Sequence, residues 1–174
     1  IQEINNNNFS IGSFYLRRMR RILPALIFLI FSCIIIFWWF MSPTQYESLM
    51  QSIISSLFFY SNFFFWKSTG YFQIAAEELP LLHTWSLSVE EQYYLFFPFL
   101  ILVLKKYIWK FFTSILIFFT ASSLLLCIWG ATEYPSANFY LSFTRAWEIL
   151  FGSLCALILI RCPLKKNNFF SIFG

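Results

Sequence analysis

Long apolar stretches, separated by short polar ones, dominate the pattern along this chain. Four of them, residues 22–40, 87–104, 111–129 and 141–160, are each close to twenty residues long. About 20 apolar residues in a helix cross the hydrocarbon core of a bilayer, and a helix satisfies its own backbone polar groups there. The pattern therefore predicts an all-α fold, a polytopic bundle of about four transmembrane helices.

A fifth apolar stretch, residues 48–66, is uncharged but carries a polar stripe. Ser48, Ser52, Ser55 and Asn62 fall on one face of a continuous helix over these residues, with Ser56 beside them. A stripe of this kind is typical of an interfacial or re-entrant helix that lines a cavity. We therefore expect this segment to be one helix that does not cross the membrane.

Composition agrees with a membrane setting. Hydrophobic residues make up 59% of the 174 residues and charged residues only 11%, whereas soluble domains carry about 25% charged residues. The four cysteines show no metal-binding spacing, and no metal site is predicted. No basic stripe with interleaved aromatic residues lies outside the apolar segments, which argues against a nucleic-acid partner.

The basic residues predict an orientation, because positive charge favours the cytoplasmic side of a membrane. Ten of the twelve lie before the first span, between the second and third, and after the fourth: Arg17, Arg18, Arg20, Arg21, Lys105, Lys106, Lys110, Arg161, Lys165 and Lys166. All three sites are expected in the cytoplasm, with residues 43–86 and 130–140 outside. The chain begins at Ile1 and ends in an apolar stretch at Gly174, so we expect it to be a piece of a longer protein.

Ionisable residues near the start of the second span are the first candidates for chemistry. In a helix that begins near His83, the side chains of His83, Ser86, Glu90 and Tyr94 share one face. Such a face could hold a proton acceptor at the outer mouth of the bundle. The alternative is a capping box from Ser88 to Glu91, which would make Glu91 structural.

The fourth span carries a second pair of opposite charges. Arg145 and Glu148 are three residues apart and can pair on one helical face. Gly152 and Ala156 continue that face with small residues, which lets another helix approach closely. The pair either stabilises the bundle or leaves Arg145 to bind an anion or a carbonyl oxygen.

The cluster Arg17, Arg18, Arg20 and Arg21 allows two interpretations. Four arginines at a cytoplasmic helix end fix orientation and attract anionic lipid. Guanidinium groups also suit phosphate, so the cluster could recognise a phosphorylated cytosolic donor.

Three stretches together resemble the acyltransferase-3 family of membrane O-acyltransferases. They are residues 14–26 (FYLRRMRRILPAL), 82–95 (LHTWSLSVEEQYYL) and 139–152 (FYLSFTRAWEILFG). The resemblance implies transfer of an acyl group, usually acetyl, from cytoplasmic acyl-coenzyme A to a hydroxyl of an extracytoplasmic sugar, with polysaccharide, lipopolysaccharide and peptidoglycan as typical acceptors. It also implies a bacterial inner-membrane protein with a bundle of about ten helices, surrounded by membrane lipid.

The resemblance assigns roles to residues of this sequence. It implies that the four arginines handle the acyl-coenzyme A donor. It matches the family's Glu-Gln motif to Glu91 and Gln92, and its Arg-x-Trp-Glu motif to Arg145, Trp147 and Glu148. The catalytic candidates are His83, Glu90, Glu91, Arg145 and Glu148, and acyl-coenzyme A is a substrate rather than a bound cofactor.

The family also has two preceding helices, a histidine regarded as its catalytic base, and later helices that this chain lacks. Those missing N- and C-terminal helices are therefore expected partners, and residues 1–174 are expected to form a partial domain. The alternatives are a segment of a transporter or flippase, which relays protons through membrane carboxylates, and an inactive fragment.

Overall fold

The computed structural model describes residues 10–71, 79–107 and 111–161, and within these ranges it is helical with no strand. The all-α fold is therefore confirmed. Its seven helices are α1 (Ile11–Trp38), α2 (Pro43–Leu57), α3 (Ser61–Tyr71), α4 (Thr84–Tyr107), α5 (Phe112–Glu133), α6 (Pro135–Tyr140) and α7 (Ser142–Arg161). Residues 1–9 and 162–174, the two ends on which the expectation of a longer protein rested, lie outside the described residues.

Each predicted span lies on a helix, although the bounds differ. Among the described residues, three stretches are long and apolar enough to cross a membrane: Ile11–Trp38, Phe112–Glu133 and Pro135–Leu159. Helix α4, which covers the predicted span 87–104, is not among them. Helix α1 begins at Ile11, so the arginine cluster lies inside this helix rather than before it.

Many large apolar side chains point away from the protein. Phe28 is 75% exposed, Trp39 81% and Phe118 67%. Water would penalise such a surface at about 25 cal/mol per Å², whereas lipid does not. Together with the three long apolar helices, these side chains identify the chain as part of a membrane protein.

The prediction of one helix over residues 48–66 is wrong. The chain makes two helices, α2 and α3, and breaks between them at Phe59, whose φ is 53°. Helix α2 starts earlier than expected because Ser42 and Gln45 form a capping box and Pro43 occupies the first turn. The carbonyl oxygen of Ser55 accepts a hydrogen bond from the backbone N–H of Tyr60 (2.9 Å), which closes the turn.

The polar stripe faces protein. Exposure is 2% for Ser52, 0% for Ser55, 1% for Ser56 and 0% for Asn62. The Ser56 hydroxyl lies 2.8 Å from that of Thr84 on α4. Ser56 and Asn62 thus join α2 and α3 to α4, Asn62 through Gln92. The hydroxyls of Ser52 and Ser55 donate to backbone carbonyl oxygens of α2 itself.

Two apolar clusters hold the described helices together. The first joins α1, α2 and α3 to the turn before α4 and to α6, and its buried members are Leu26, Ile30, Cys33, Leu49, Ile53, Phe65, Leu79, Leu81 and Tyr140. The second joins α4, α5 and α7 through Ile101, Phe112, Leu116, Leu150 and Leu157. The site described next lies beside the first cluster, where α1 meets α4.

Candidate active site

The candidate site is a cavity of about 240 Å³ between α1, α4 and the turn that follows α2. Helix α1 contributes one face, in which lining residues recur three or four positions apart as a helix requires. Ten residues line the cavity: Tyr15, Arg18, Met19, Ile22, Leu23, Phe58, Phe59, Glu91, Gln92 and Leu95. Apart from the ion pair, Gln92 and the Tyr15 hydroxyl, its walls are apolar.

Arg18 and Glu91 form an ion pair on the wall of this cavity. Arg18 Nη1 lies 3.4 Å from Glu91 Oε1, and the side chains are only 24% and 13% exposed. The guanidinium carbon of Arg18 lies 3.0 Å from the ring centroid of Tyr94, so the cation also contacts an aromatic face. A charged pair in so apolar a setting is costly unless both members are engaged, and here both are.

This pairing corrects an expectation. The arginine cluster was expected at the inner face and Glu91 at an outer cavity, but the structure brings Arg18 and Glu91 into one cavity. Helices α1 and α4 run antiparallel at this point, since Tyr15 contacts Leu95 while Arg18 contacts Glu91.

The same contact gives the spacing of the basic residues along α4. Lys105 follows Glu91 by fourteen residues, which is about 21 Å along α4. Arg18 therefore lies well away from the level of Lys105 in the bundle. The orientation of the bundle in the membrane, which rests on the positive-inside argument, stays a prediction.

The arginines of the cluster do not act as one group in the structure. Of the four, only Arg18 lines the cavity, while Arg17, Arg20 and Arg21 are exposed. A helix turns about 100° per residue, so four arginines within five positions must point in different directions. Arg20 and Arg21 remain available to an anionic group outside the cavity.

The other residues near the start of α4 are placed differently. His83 precedes α4, and both His83 and Glu90 are exposed. Tyr94, one turn after Glu90 on α4, contacts the guanidinium of Arg18 through its ring. The structure thus brings Glu91, but neither His83 nor Glu90, to the cavity wall.

The alternative capping box at Ser88 is wrong, because α4 begins at Thr84. The backbone N–H of Thr84 donates to the carbonyl oxygen of Leu81 (2.9 Å), so tight turns lead into the helix four residues before Ser88. Ser88 instead lies 2.7 Å from the hydroxyl of Ser61. Glu91 is therefore not a helix cap.

Arg145 and Glu148 pair on α7 as the spacing predicted, at 2.9 Å. The guanidinium of Arg145 also lies 5.1 Å from the ring centroid of Phe139 and 5.5 Å from that of Trp85. Glu148 is 47% exposed, so this pair is far more open than the Arg18–Glu91 pair. Next to it, Gly152 and Ala156 are exposed, and no described helix packs on their face.

A buried amide network, which sequence reasoning did not identify, adjoins the cavity. Gln92 Nε2 donates to the carbonyl oxygen of Phe59 (2.8 Å) and to Asn62 Oδ1 (2.9 Å). Gln92 Oε1 accepts from the Ser142 hydroxyl, and Asn62 Nδ2 donates to the carbonyl oxygen of Tyr140 (3.2 Å). The sequence singled out Asn62 through the polar stripe and Gln92 through the Glu-Gln motif, but it did not indicate that they meet, since partners in the network are up to 80 residues apart.

Fold and site together define a helical membrane protein with an internal ion pair on a small cavity. The model of the acyltransferase domain family matches residues 4–174, and the chain belongs to that family. The predicted resemblance is thereby confirmed.

Two relatives illustrate the match. An uncharacterized protein of Haemophilus influenzae is 40% identical over 168 residues, which cover 90% of this chain and 67% of the relative. The peptidoglycan O-acetyltransferase OatA of Listeria monocytogenes is 32% identical over 163 residues, covering 89% of this chain and 25% of the relative. The chain thus spans from about a quarter to two thirds of these relatives' lengths. No solved structure matches it significantly.

Proposed function

We propose that the protein containing this chain transfers an acyl group, acetyl in the first instance, from cytoplasmic acyl-coenzyme A to a hydroxyl of an extracytoplasmic cell-surface sugar. The observation that carries the proposal is the Arg18–Glu91 pair on the wall of the cavity. Membership of the acyltransferase family supports the reaction type. The name of the Listeria relative supports a peptidoglycan sugar as acceptor.

The reaction forms a C–O ester bond and breaks the C–S bond of the thioester. A general base takes the proton of the attacking sugar hydroxyl, and the thiolate of coenzyme A leaves and is protonated. Negative charge develops on the former carbonyl oxygen as the hydroxyl attacks. Arg18 supplies a fixed positive charge in a cavity with mainly apolar walls, where such stabilisation is stronger than in water.

The division of the arginine cluster gives the residues different roles in this proposal. Arg18 faces the cavity and acts at the reacting carbonyl, whereas Arg20 and Arg21 are exposed and bind the phosphates of coenzyme A. Glu91 holds the Arg18 guanidinium in place. Arg145 and Glu148 would bind the acceptor, because a paired arginine beside two aromatic rings offers both hydrogen bonds and an apolar surface.

The test uses the full-length protein in proteoliposomes with acetyl-labelled acetyl-coenzyme A and peptidoglycan fragments. Ester-linked label, released by mild alkali, measures transfer. Arg18→Ala should lower kcat at least 100-fold, while the Arg20→Ala, Arg21→Ala double variant should mainly raise the KM for acetyl-coenzyme A. Glu133→Gln, an exposed change at the end of α5, is the control. Normal transfer by Arg18→Ala would refute the assignment of Arg18, and no transfer by the wild type would refute the function.

A further inference from the structure

Both N–H donors of the Gln92 side chain are occupied by protein partners, although the residue lines the cavity. A primary amide has two N–H donors and one carbonyl oxygen with two lone pairs. The two donors of Gln92 are used on Phe59 and Asn62, and its oxygen accepts from Ser142. Gln92 therefore has no donor left for a substrate, and its donors act on the groups that it holds.

One of these groups is a strained turn. Phe59 is the only non-glycine residue with positive φ among those that the structure describes. A bulky side chain rarely adopts this conformation unless its surroundings enforce it. Gln92 binds the carbonyl oxygen of Phe59, and Phe58 and Phe59 form part of the cavity wall. The amide of Gln92 thus helps to fix the position of that wall.

The second group connects the cavity to α7. Asn62, which is 0% exposed, accepts from Gln92 and donates to Tyr140 and to the Ser142 hydroxyl. Ser142 is the first residue of α7. Three elements, α3, α4 and the start of α7, therefore meet at one pair of amides.

These contacts also set the rotation of α4 about its own axis. Consecutive residues on a helix point about 100° apart. With Gln92 held toward Phe59, Asn62 and Ser142, the side chain of Glu91 is turned toward α1, where it meets Arg18. A rotation of α4 that broke the amide contacts would move Glu91 away from Arg18.

We propose that Gln92 is a positioning residue, which holds Glu91 against Arg18 and fixes the Phe59 turn as a wall of the cavity. This inference rests on the proposed function, because it assigns a role within the same site.

The experiment compares Gln92→Met and Gln92→Glu in the full-length protein. Gln92→Met keeps the length of the side chain and removes all three hydrogen bonds. Gln92→Glu keeps the acceptor for Ser142 but sets a carboxylate against two acceptor oxygens. Both variants should lower kcat for acetyl transfer at least 10-fold and change the KM for acetyl-coenzyme A less than threefold, because the exposed arginines are untouched.

Ser123→Ala is the matched structural control. Ser123 is buried on α5, donates to the carbonyl oxygen of Phe143 (2.6 Å) and accepts from the backbone N–H of Trp147 (3.0 Å), away from the cavity. It should lower the melting temperature without lowering kcat. The proposal is overturned if the Gln92 variants keep wild-type kcat, or if they lose kcat only to the extent that Ser123→Ala does at equal loss of stability. A wild type without transfer activity would instead refute the proposed function.

Discussion

The two halves of the bundle are held together by different physical means. Between α1, α2, α3 and α4, buried hydroxyls and amides form networks, and an ion pair crosses from α1 to α4. Between α4, α5 and α7, the contacts are mainly apolar, around Leu116 and Leu157. Apolar packing is non-directional and tolerates small changes, whereas a buried polar contact fails when one partner is lost. The polar half is therefore the half that can fix a site precisely.

The two Arg–Glu pairs give the largest expected contrast between the halves. Glu91→Ala leaves the partly buried Arg18 without its partner, which should cost about 3–5 kcal/mol of stability in addition to activity. Glu148→Ala removes an exposed i,i+3 partner and should cost less than about 1 kcal/mol. Thermal unfolding of the full-length protein in one detergent measures both. Equal losses of stability in the two variants would show that Arg18 finds another counterion, and the two ion pairs would then not differ in strength.

The amide network gives the second contrast. Asn62→Leu keeps the size of the side chain but leaves Gln92 Nε2 and the carbonyl oxygen of Tyr140 each short of a partner, at about 1–3 kcal/mol per group. In the apolar half, Leu116 is 0% exposed, and Leu116→Met should cost less than about 1.5 kcal/mol. The same unfolding measurement tests the pair. If Asn62→Leu lowers the stability no more than Leu116→Met does, the amide network is not what holds the polar half together.

Two glycines, on α5 and α7, allow a comparison of tight and open packing within the apolar half. A Cβ on Gly130 would lie 2.9 Å from Asn138 Oδ1, whereas one on Gly152 would meet nothing within 4 Å. Alanine is favoured over glycine in a helix by about 1 kcal/mol, so Gly152→Ala should stabilise. Gly130→Ala must displace Asn138 and should be less stable than Gly152→Ala by about 1–3 kcal/mol.

Removing the side chain of Asn138 tests whether its contact with a Cβ at position 130 causes the loss of stability. In an Asn138→Ala background, the penalty of Gly130→Ala should largely disappear, because Asn138 Oδ1 and Cγ are gone. If the penalty persists there, contact with Asn138 is not its cause. If Gly152→Ala proves destabilising, the open face of α7 is covered by another helix in the full-length protein.

The sequence predicted those features that depend on neighbouring residues. The four apolar segments and the Arg145–Glu148 pair follow from local spacing, and both are present. The break at Phe59 was missed because residues 57–66 are mostly aromatic and contain neither glycine nor proline, the two strongest local signals for a turn.

The central contact of the site could not be read from the sequence at all. Arg18 and Glu91 are 73 residues apart, and which arginine of the cluster faces α4 depends on how the helices pack. The same holds for Ser142, which is 50 residues from Gln92. Family resemblance could single out Glu91 and Gln92, but it could not show that one residue faces Arg18 while the other is occupied by protein.

The smallest expected effect concerns a second contact between α1 and α4, which adds to the Arg18–Glu91 ion pair in aligning the two helices. The Tyr15 hydroxyl donates to the carbonyl oxygen of Leu95 (2.8 Å), one turn along the helix from the Arg18–Glu91 contact. Tyr15→Phe removes only this hydrogen bond and should cost about 0.5–1.5 kcal/mol. Tyr134→Phe, at an exposed position after α5, is the control and should be neutral. A loss of acetyl transfer in Tyr15→Phe far beyond its loss of stability would mean that the hydroxyl acts within the cavity, because a purely structural hydrogen bond lowers both together.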